Sequence, residues 1–127
     1  TISELPKKEI ITFSRYDTIK DIMGVMLQKN TRKLILKNTN NFISDRLIIQ
    51  TIAQKFDFFR NVKFLDQSVA DSFNLEEAKK ISEDMNLAEI SKIMYGMVHP
   101  YIIFQDQAIT PWDICIALQS DKIEWAG

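Results

Sequence analysis

"KLILKNTNNFISDRLII" (residues 33–49) and "YIIFQDQAITPWDICI" (101–116) carry one pattern twice: an apolar run, a polar turn, a short run ending in a hydroxyl residue, then a helix-like stretch. "KLIL" falls on "YIIF" at an offset of 68, while Ile43 falls on Ile109, Ser44 on Thr110 and Ile48 on Ile114 at an offset of 66. The second turn is therefore two residues shorter. The offset of 68 also holds toward the N-terminus, matching Ser14 with Ser82, Ile19 with Leu87, Asp21 with Glu89, Ile22 with Ile90 and Met26 with Met94. Self-similarity over this distance marks two copies of one supersecondary unit.

Each copy reads as β-α-β-β-α. In the first, "EIITFS" (9–14) has the β-branched and aromatic content of a strand, and "TIKDIMGVMLQ" (18–28) places Ile19, Ile22, Met23 and Met26 on one helical face. "KLILK" reads as a buried strand, 38–41 as an Asn/Thr turn, 42–44 as a short strand, and Asp45 to about Lys55 as a helix capped by Ser44. In the second, "AKKIS" (78–82) is a strand and "NLAEISKIM" (86–94) a helix; Gly96 and Pro100 precede "YIIF", and the last helix runs from about 111 to 120. This divides the chain into repeat 1 (1–57), a connection (58–77) and repeat 2 (78–127). The connection is neither Gly/Ser-rich nor highly charged, so it reads as structured and not as a tether. Its "SVADSF" (68–73) resembles "TISELP" (1–6), so each unit is expected to open with a lead-in segment before its first strand.

A chain of 127 residues, 46% of them hydrophobic, suffices for one compact domain or two small units sharing a core. Sixteen basic residues against seventeen acidic leave a net charge of −1, which points away from a general nucleic-acid binder. The single Cys115 can form no internal disulfide, and no leader or apolar run of membrane-spanning length appears, so a soluble cytoplasmic protein is expected. The chain opens on Thr1 and not Met, as a piece of a longer protein would. Cys115 lies in an apolar helical stretch with one His in the whole chain, and is expected to be a small buried hydrophobe; a catalytic thiol or zinc site is the alternative.

Two such units in tandem, carried by "TISELPKKEIITFSRYDTIKDIM", "TRKLIL" and "FISDRLI" and then by "SVADSF", "KKISEDMNLAEISKIM", "HPYIIF" and "AITPWDI", resemble a pair of CBS domains, a Bateman module. The resemblance covers nearly the whole chain. It implies an α/β (α+β) fold in which the repeats pack through their sheets about a pseudo-twofold axis, with two clefts between them. It further implies assembly into a homodimer, and regulation of an attached or partner protein of unknown identity by an adenosine-containing ligand. Membrane and nucleic acid are not among the implied partners.

Thr110-Pro111-Trp112-Asp113 has two readings. Thr at the N-cap, Pro at the first helical position and an acidic residue at the third make a good helix start, worth on the order of 1 kcal/mol. In nucleotide-binding CBS units, the resemblance implies, the position of Asp113 accepts from ribose hydroxyls, that of Thr110 bonds ribose or phosphate, and the helix start offers amides to an anion. His99 before "YIIF" and Arg32 in "TRKLIL" stand where such units direct a basic residue at phosphate; a His or Arg there is otherwise a solvated surface residue. Lys80, Ile81 and Ile109 would line the adenine slot. Trp112 either stacks on a ligand or lies on the surface.

Other positions depart from the family pattern. Gln107 and Asn41 stand three residues before Thr110 and Ser44, where nucleotide-binding units commonly have Gly. Leu47 replaces the ribose-binding carboxylate in the first unit, and Asp45 points about 200° around the helix from it. At most one adenosine site per chain is expected, built on Thr110 and Asp113. The expected function is a regulatory module for AMP, ADP or ATP, alternatively NAD or S-adenosylmethionine, with no required cofactor or metal. The competing reading is a ligand-free dimerisation or interaction scaffold. No catalytic constellation is found, so an enzyme ranks third.

Overall fold

The structure, a computed structural model, describes residues 1–6 and 8–119. Two compact units emerge: one joins Thr1–Ile10 to the chain from Ala78 onward, the other is Ile11–Glu77.

The unit Ile11–Glu77 contains β1 (Thr12–Phe13), α1 (Ile19–Lys29), β2 (Lys33–Leu36), β3 (Asn41–Ser44), α2 (Asp45–Gln54), α3 (Phe56–Phe59), α4 (Val69–Ser72) and β4 (Glu76–Glu77). The four strands form a sheet in sequence order, with β1 parallel to β2 and the remaining pairs antiparallel. α1 begins at a reciprocal cap: the Asp21 amide donates to Thr18 Oγ1 at 3.2 Å and the Thr18 amide to Asp21 Oδ2 at 3.0 Å. It ends where Asn30 turns left-handed at φ 50°, a conformation Asn tolerates. α1 and α2 bury Ile19, Ile22, Met26, Leu47 and Ile48 with Leu34, Phe42 and Ile43 of the sheet. Met23 departs from the expected face and is exposed, because it lies only 100° from Ile22 at the margin of a stripe that Ile19, Ile22 and Met26 already fill.

The connection is ordered. Phe59 stacks with Phe64 at 5.3 Å and with Phe73 at 5.2 Å between ring centroids, which anchors the short turns of this segment. The Asn74 amide donates to the buried Thr51 hydroxyl, which donates to the Leu47 carbonyl.

The other unit contains a 3-10 turn (Ile2–Glu4), β5 (Lys79–Ile81), α5 (Leu87–Tyr95), β6 (Ile102–Phe104), β7 (Gln107–Ile109) and α6 (Pro111–Ala117). β5 runs parallel to β6 and β6 antiparallel to β7. Its core gathers Ile81, Leu87, Ile90, Ile102, Phe104 and Ile114 with Ile2 and Leu5 from the chain start. Residue 120, the expected end of the last helix, lies outside the described residues.

The repeat pattern is matched element by element, and the second hairpin is the shorter one: β6 and β7 are joined by Gln105 and Asp106 alone, both left-handed at φ 49° and 60°. Two features differ from the sequence reading. "EIITFS" is not one strand, since Glu9 bridges Gln107 in one unit and Thr12–Phe13 pairs with β2 in the other. The lead-ins also trade places. "TISELP" joins the unit holding the second repeat, with the Ile2 amide donating to the Met85 carbonyl at 2.7 Å and Ser3 bonding Asp84, while "SVADSF" joins the unit holding the first, where Ser68 bridges Thr18. Similarity between the two segments locates them along the chain, but not the unit in which each buries its Ile2 or Val69.

Candidate functional site

The start of α6 is fixed by its own carboxylate. Asp113 Oδ2 accepts from both the amide and the hydroxyl of Thr110, each at 2.8 Å. The Asp113 amide donates to the Thr110 carbonyl at 3.0 Å, and Pro111 occupies the first helical position, where no amide donor is needed. The same four-residue spacing at Thr18–Asp21 provides an internal contrast, because there the hydroxyl accepts from the Asp21 amide. At Thr110 the hydroxyl donates a hydrogen bond to the carboxylate. Asp113 Oδ1 is left facing Lys8, whose Nζ lies 3.7 Å away.

Asp113 also borders a concave pocket within this unit. Ile2, Leu5 and Pro6 from the lead-in form one wall, and Phe104, Ala108 and Ile109 of the β6–β7 hairpin form another. The pocket is a small depression open to solvent. A mostly apolar depression with a carboxylate on its border is the makeup of a small-ligand site. Ser3 holds the lead-in wall: its amide and hydroxyl donate to the two oxygens of Asp84 at 3.1 and 2.6 Å, and these bonds hold the Asp84 carboxyl below its usual range. Tyr101 lies near enough to feel Asp113. Burial first, and the Asp113 charge second, push its phenol up from 10.0 to about 12.

Of the residues singled out in the sequence, Thr110, Asp113 and Ile109 come together here. Ile81 is buried in the core of the unit. Lys80 is exposed on β5, and His99 is half-buried in the segment between α5 and β6. Arg32 belongs to the other unit; it is exposed just before β2, and its carbonyl accepts from the Asp45 amide at 3.2 Å. Trp112 is exposed. Cys115 is exposed as well, not buried as expected: α6 turns Ile114 and Ala117 inward, and Cys115 sits 100° from Ile114, on the face shared with Trp112 and Ile116. The sequence reading missed Lys8, and although it identified "TISELP" as a lead-in from the repeat, it did not place that segment as a wall beside the second hairpin. Among the described residues no group of three or more His, Cys, Asp or Glu is arranged to hold a metal ion, and no helix is long and apolar enough to cross a membrane.

The matching position in the first repeat is closed. Ser44 Oγ accepts from the Leu47 amide at 3.1 Å, so the cap is kept, and Leu47 is fully buried.

No protein-family model matches the sequence, and no curated protein matches it. Solved structures do match. A CBS-domain containing protein from Agrobacterium tumefaciens is 13% identical with a TM-score of 0.69, covering 87% of this chain and 90% of its own. A CBS-domain protein from Pyrobaculum aerophilum complexed with AMP is 16% identical with a TM-score of 0.61, covering 92% and 95%. CBSX2 in complex with AMP is 12% identical with a TM-score of 0.58, covering 94% and 91%. At these identities the shared feature is the fold.

Proposed function

We propose that this chain, which has the fold of a tandem CBS pair, is a regulatory module that binds an adenosine-containing ligand of the AMP, ADP or ATP kind and signals its presence to an attached or partner protein. The observation that carries the reading is Asp113, a carboxylate bordering an apolar pocket, with one oxygen held by Thr110 and the other turned toward a displaceable surface lysine. A ribose diol needs such an acceptor, and a purine needs apolar walls of the kind that Leu5, Pro6 and Ile109 supply. AMP in two structures of this fold supports the ligand class. The described side chains suggest recognition without chemistry: Asp113 has a cap to hold, and Cys115 is a surface thiol apart from the pocket lining.

Thermal unfolding with AMP, ADP, ATP, NAD and S-adenosylmethionine tests the reading. A ligand at about 100 times its Kd raises stability by about 2.7 kcal/mol, a clear rise in Tm. At least one adenine nucleotide is expected to give that rise, and Asp113→Ala to abolish it. A panel without effect would overturn the reading. The exposed Trp112, Ile116 and Leu118 on and just after α6 favour a second reading, a homodimerising scaffold without ligand. Sedimentation of the unliganded chain tests it, since a monomer at high concentration would rule it out.

A further inference from the structure

Lys8 is tied down at its backbone and paired at its tip. Its carbonyl accepts from the Ala108 amide at 3.1 Å and the next residue, Glu9, bridges Gln107, so the chain around Lys8 runs beside the strand that leads to Thr110. Its ammonium reaches Asp113 Oδ1, across a pair whose side chains are 45% and 20% exposed. Asp113 Oδ2 already accepts two hydrogen bonds, which use both of its lone-pair positions. A ribose therefore has to take Oδ1, and in doing so it takes the counter-ion of Lys8.

From this competition we infer that Lys8 is a specificity-determining residue of the site, selecting adenosine ligands that bear a 5′-phosphate over neutral or cationic adenosyl compounds. The inference rests on the proposed role of Asp113 in holding ribose. An ammonium displaced from a carboxylate needs another anion, and a phosphate carried by the same ribose supplies one within reach of the flexible lysine stem. Adenosine supplies none. A sulfonium at the same place, as in S-adenosylmethionine, adds a like charge. Because the lysine end of the Lys8–Asp113 pair is exposed, the pair is weak and screened, so a ligand can displace it readily. Lys8 then acts on the ratio between ligands more than on whether the site opens.

Calorimetric titration of the full chain with AMP, adenosine and S-adenosylmethionine, on the wild type, Lys8→Met and Lys8→Arg, tests this. The wild type is expected to bind AMP about two- to fivefold more tightly than adenosine, the effect of one charge pair at short range in a solvent-exposed setting. The preference should narrow as salt rises. Lys8→Met should bring the ratio close to one, with adenosine bound at least as tightly as before because Oδ1 is now free, and Lys8→Arg should keep the preference. A ratio unchanged in Lys8→Met overturns the inference while leaving the proposed function standing. Failure of the wild type to bind either AMP or adenosine overturns both.

Discussion

Set side by side, the starts of α2 and α6 solve one problem with different third residues. Both helices cap their first turn with a hydroxyl residue, Ser44 or Thr110, at the end of a strand. Behind Ser44 comes Leu47, fully buried; behind Thr110 comes Asp113, whose side chain keeps a fifth of its surface and accepts both Thr110 donors. The capping requirement is thus met without a carboxylate at the third position, because the Leu47 amide reaches Ser44 Oγ directly. What that position carries fills the core in one repeat and borders a pocket in the other. Thr18–Asp21 shows a third outcome, an exposed carboxylate whose pKa is lowered first by the Thr18 amide and which serves the cap alone.

Exchanging the two residues is the severest way to break this comparison. Leu47→Asp puts a carboxylate into a fully buried site and removes a core side chain, so the unit Ile11–Glu77 is expected to lose about 4 kcal/mol or more, read as a collapse of its urea midpoint. The reverse change, Asp113→Leu, forfeits little beyond the cap, about 1 kcal/mol by the same measurement, while ending ligand-induced stabilisation. Comparable losses from both would mean that Asp113 is as structural as Leu47.

A smaller effect sharpens the comparison in the first helices. Gly24 stands mid-helix where the second repeat has Lys92, and an added Cβ there meets nothing within 4 Å. Gly24→Ala should stabilise the first unit by about 0.5–1 kcal/mol in the same denaturation assay. The smallest effect is read at Tyr101, which occupies the place of Lys33. Asp113→Asn removes the secondary cause of its raised pKa and leaves burial, so phenolate absorbance should titrate below about 12 yet still above 10.0. Because folding favours the neutral phenol, its contribution to stability is complete below pH 10 and fades as pH climbs toward 12. A Tyr101 titration indifferent to Asp113→Asn would place that charge elsewhere.

Much of the fold could be read from residues alone because apolar spacing repeats. Ile19, Ile22 and Met26 recur as Leu87, Ile90 and Met94, all buried, and the caps at Thr18, Ser44 and Asn86 stand where side-chain oxygens precede helical spacing. What escaped is what periodicity does not encode. α3 and α4 are single turns held by Phe59, Phe64 and Phe73 packing together, and β4 pairs through backbone groups while its Glu76 and Glu77 stay exposed. In a helix as short as α6, two inward residues decide the exposure of all the others, and Cys115 fell on the outer side. Thr110 and Asp113 were visible as a pair, since their spacing creates the hydrogen bonds. Lys8 was not, because its link to Asp113 joins distant parts of the sequence and needs the Lys8–Ala108 backbone bond to exist first.

The placement of the lead-ins bears on how the molecule can be taken apart. The polypeptide passes from one unit to the other twice, after Ile10 and after Glu77, so the unit that holds Asp113 is assembled from both ends of the sequence. No single scissor cut releases it whole. A fragment beginning at Ala78 would lack Ile2 and Leu5, one wall of the pocket and Lys8 together, whereas a circular permutant that fuses the C-terminal segment ahead of Thr1 would restore them in one contiguous stretch.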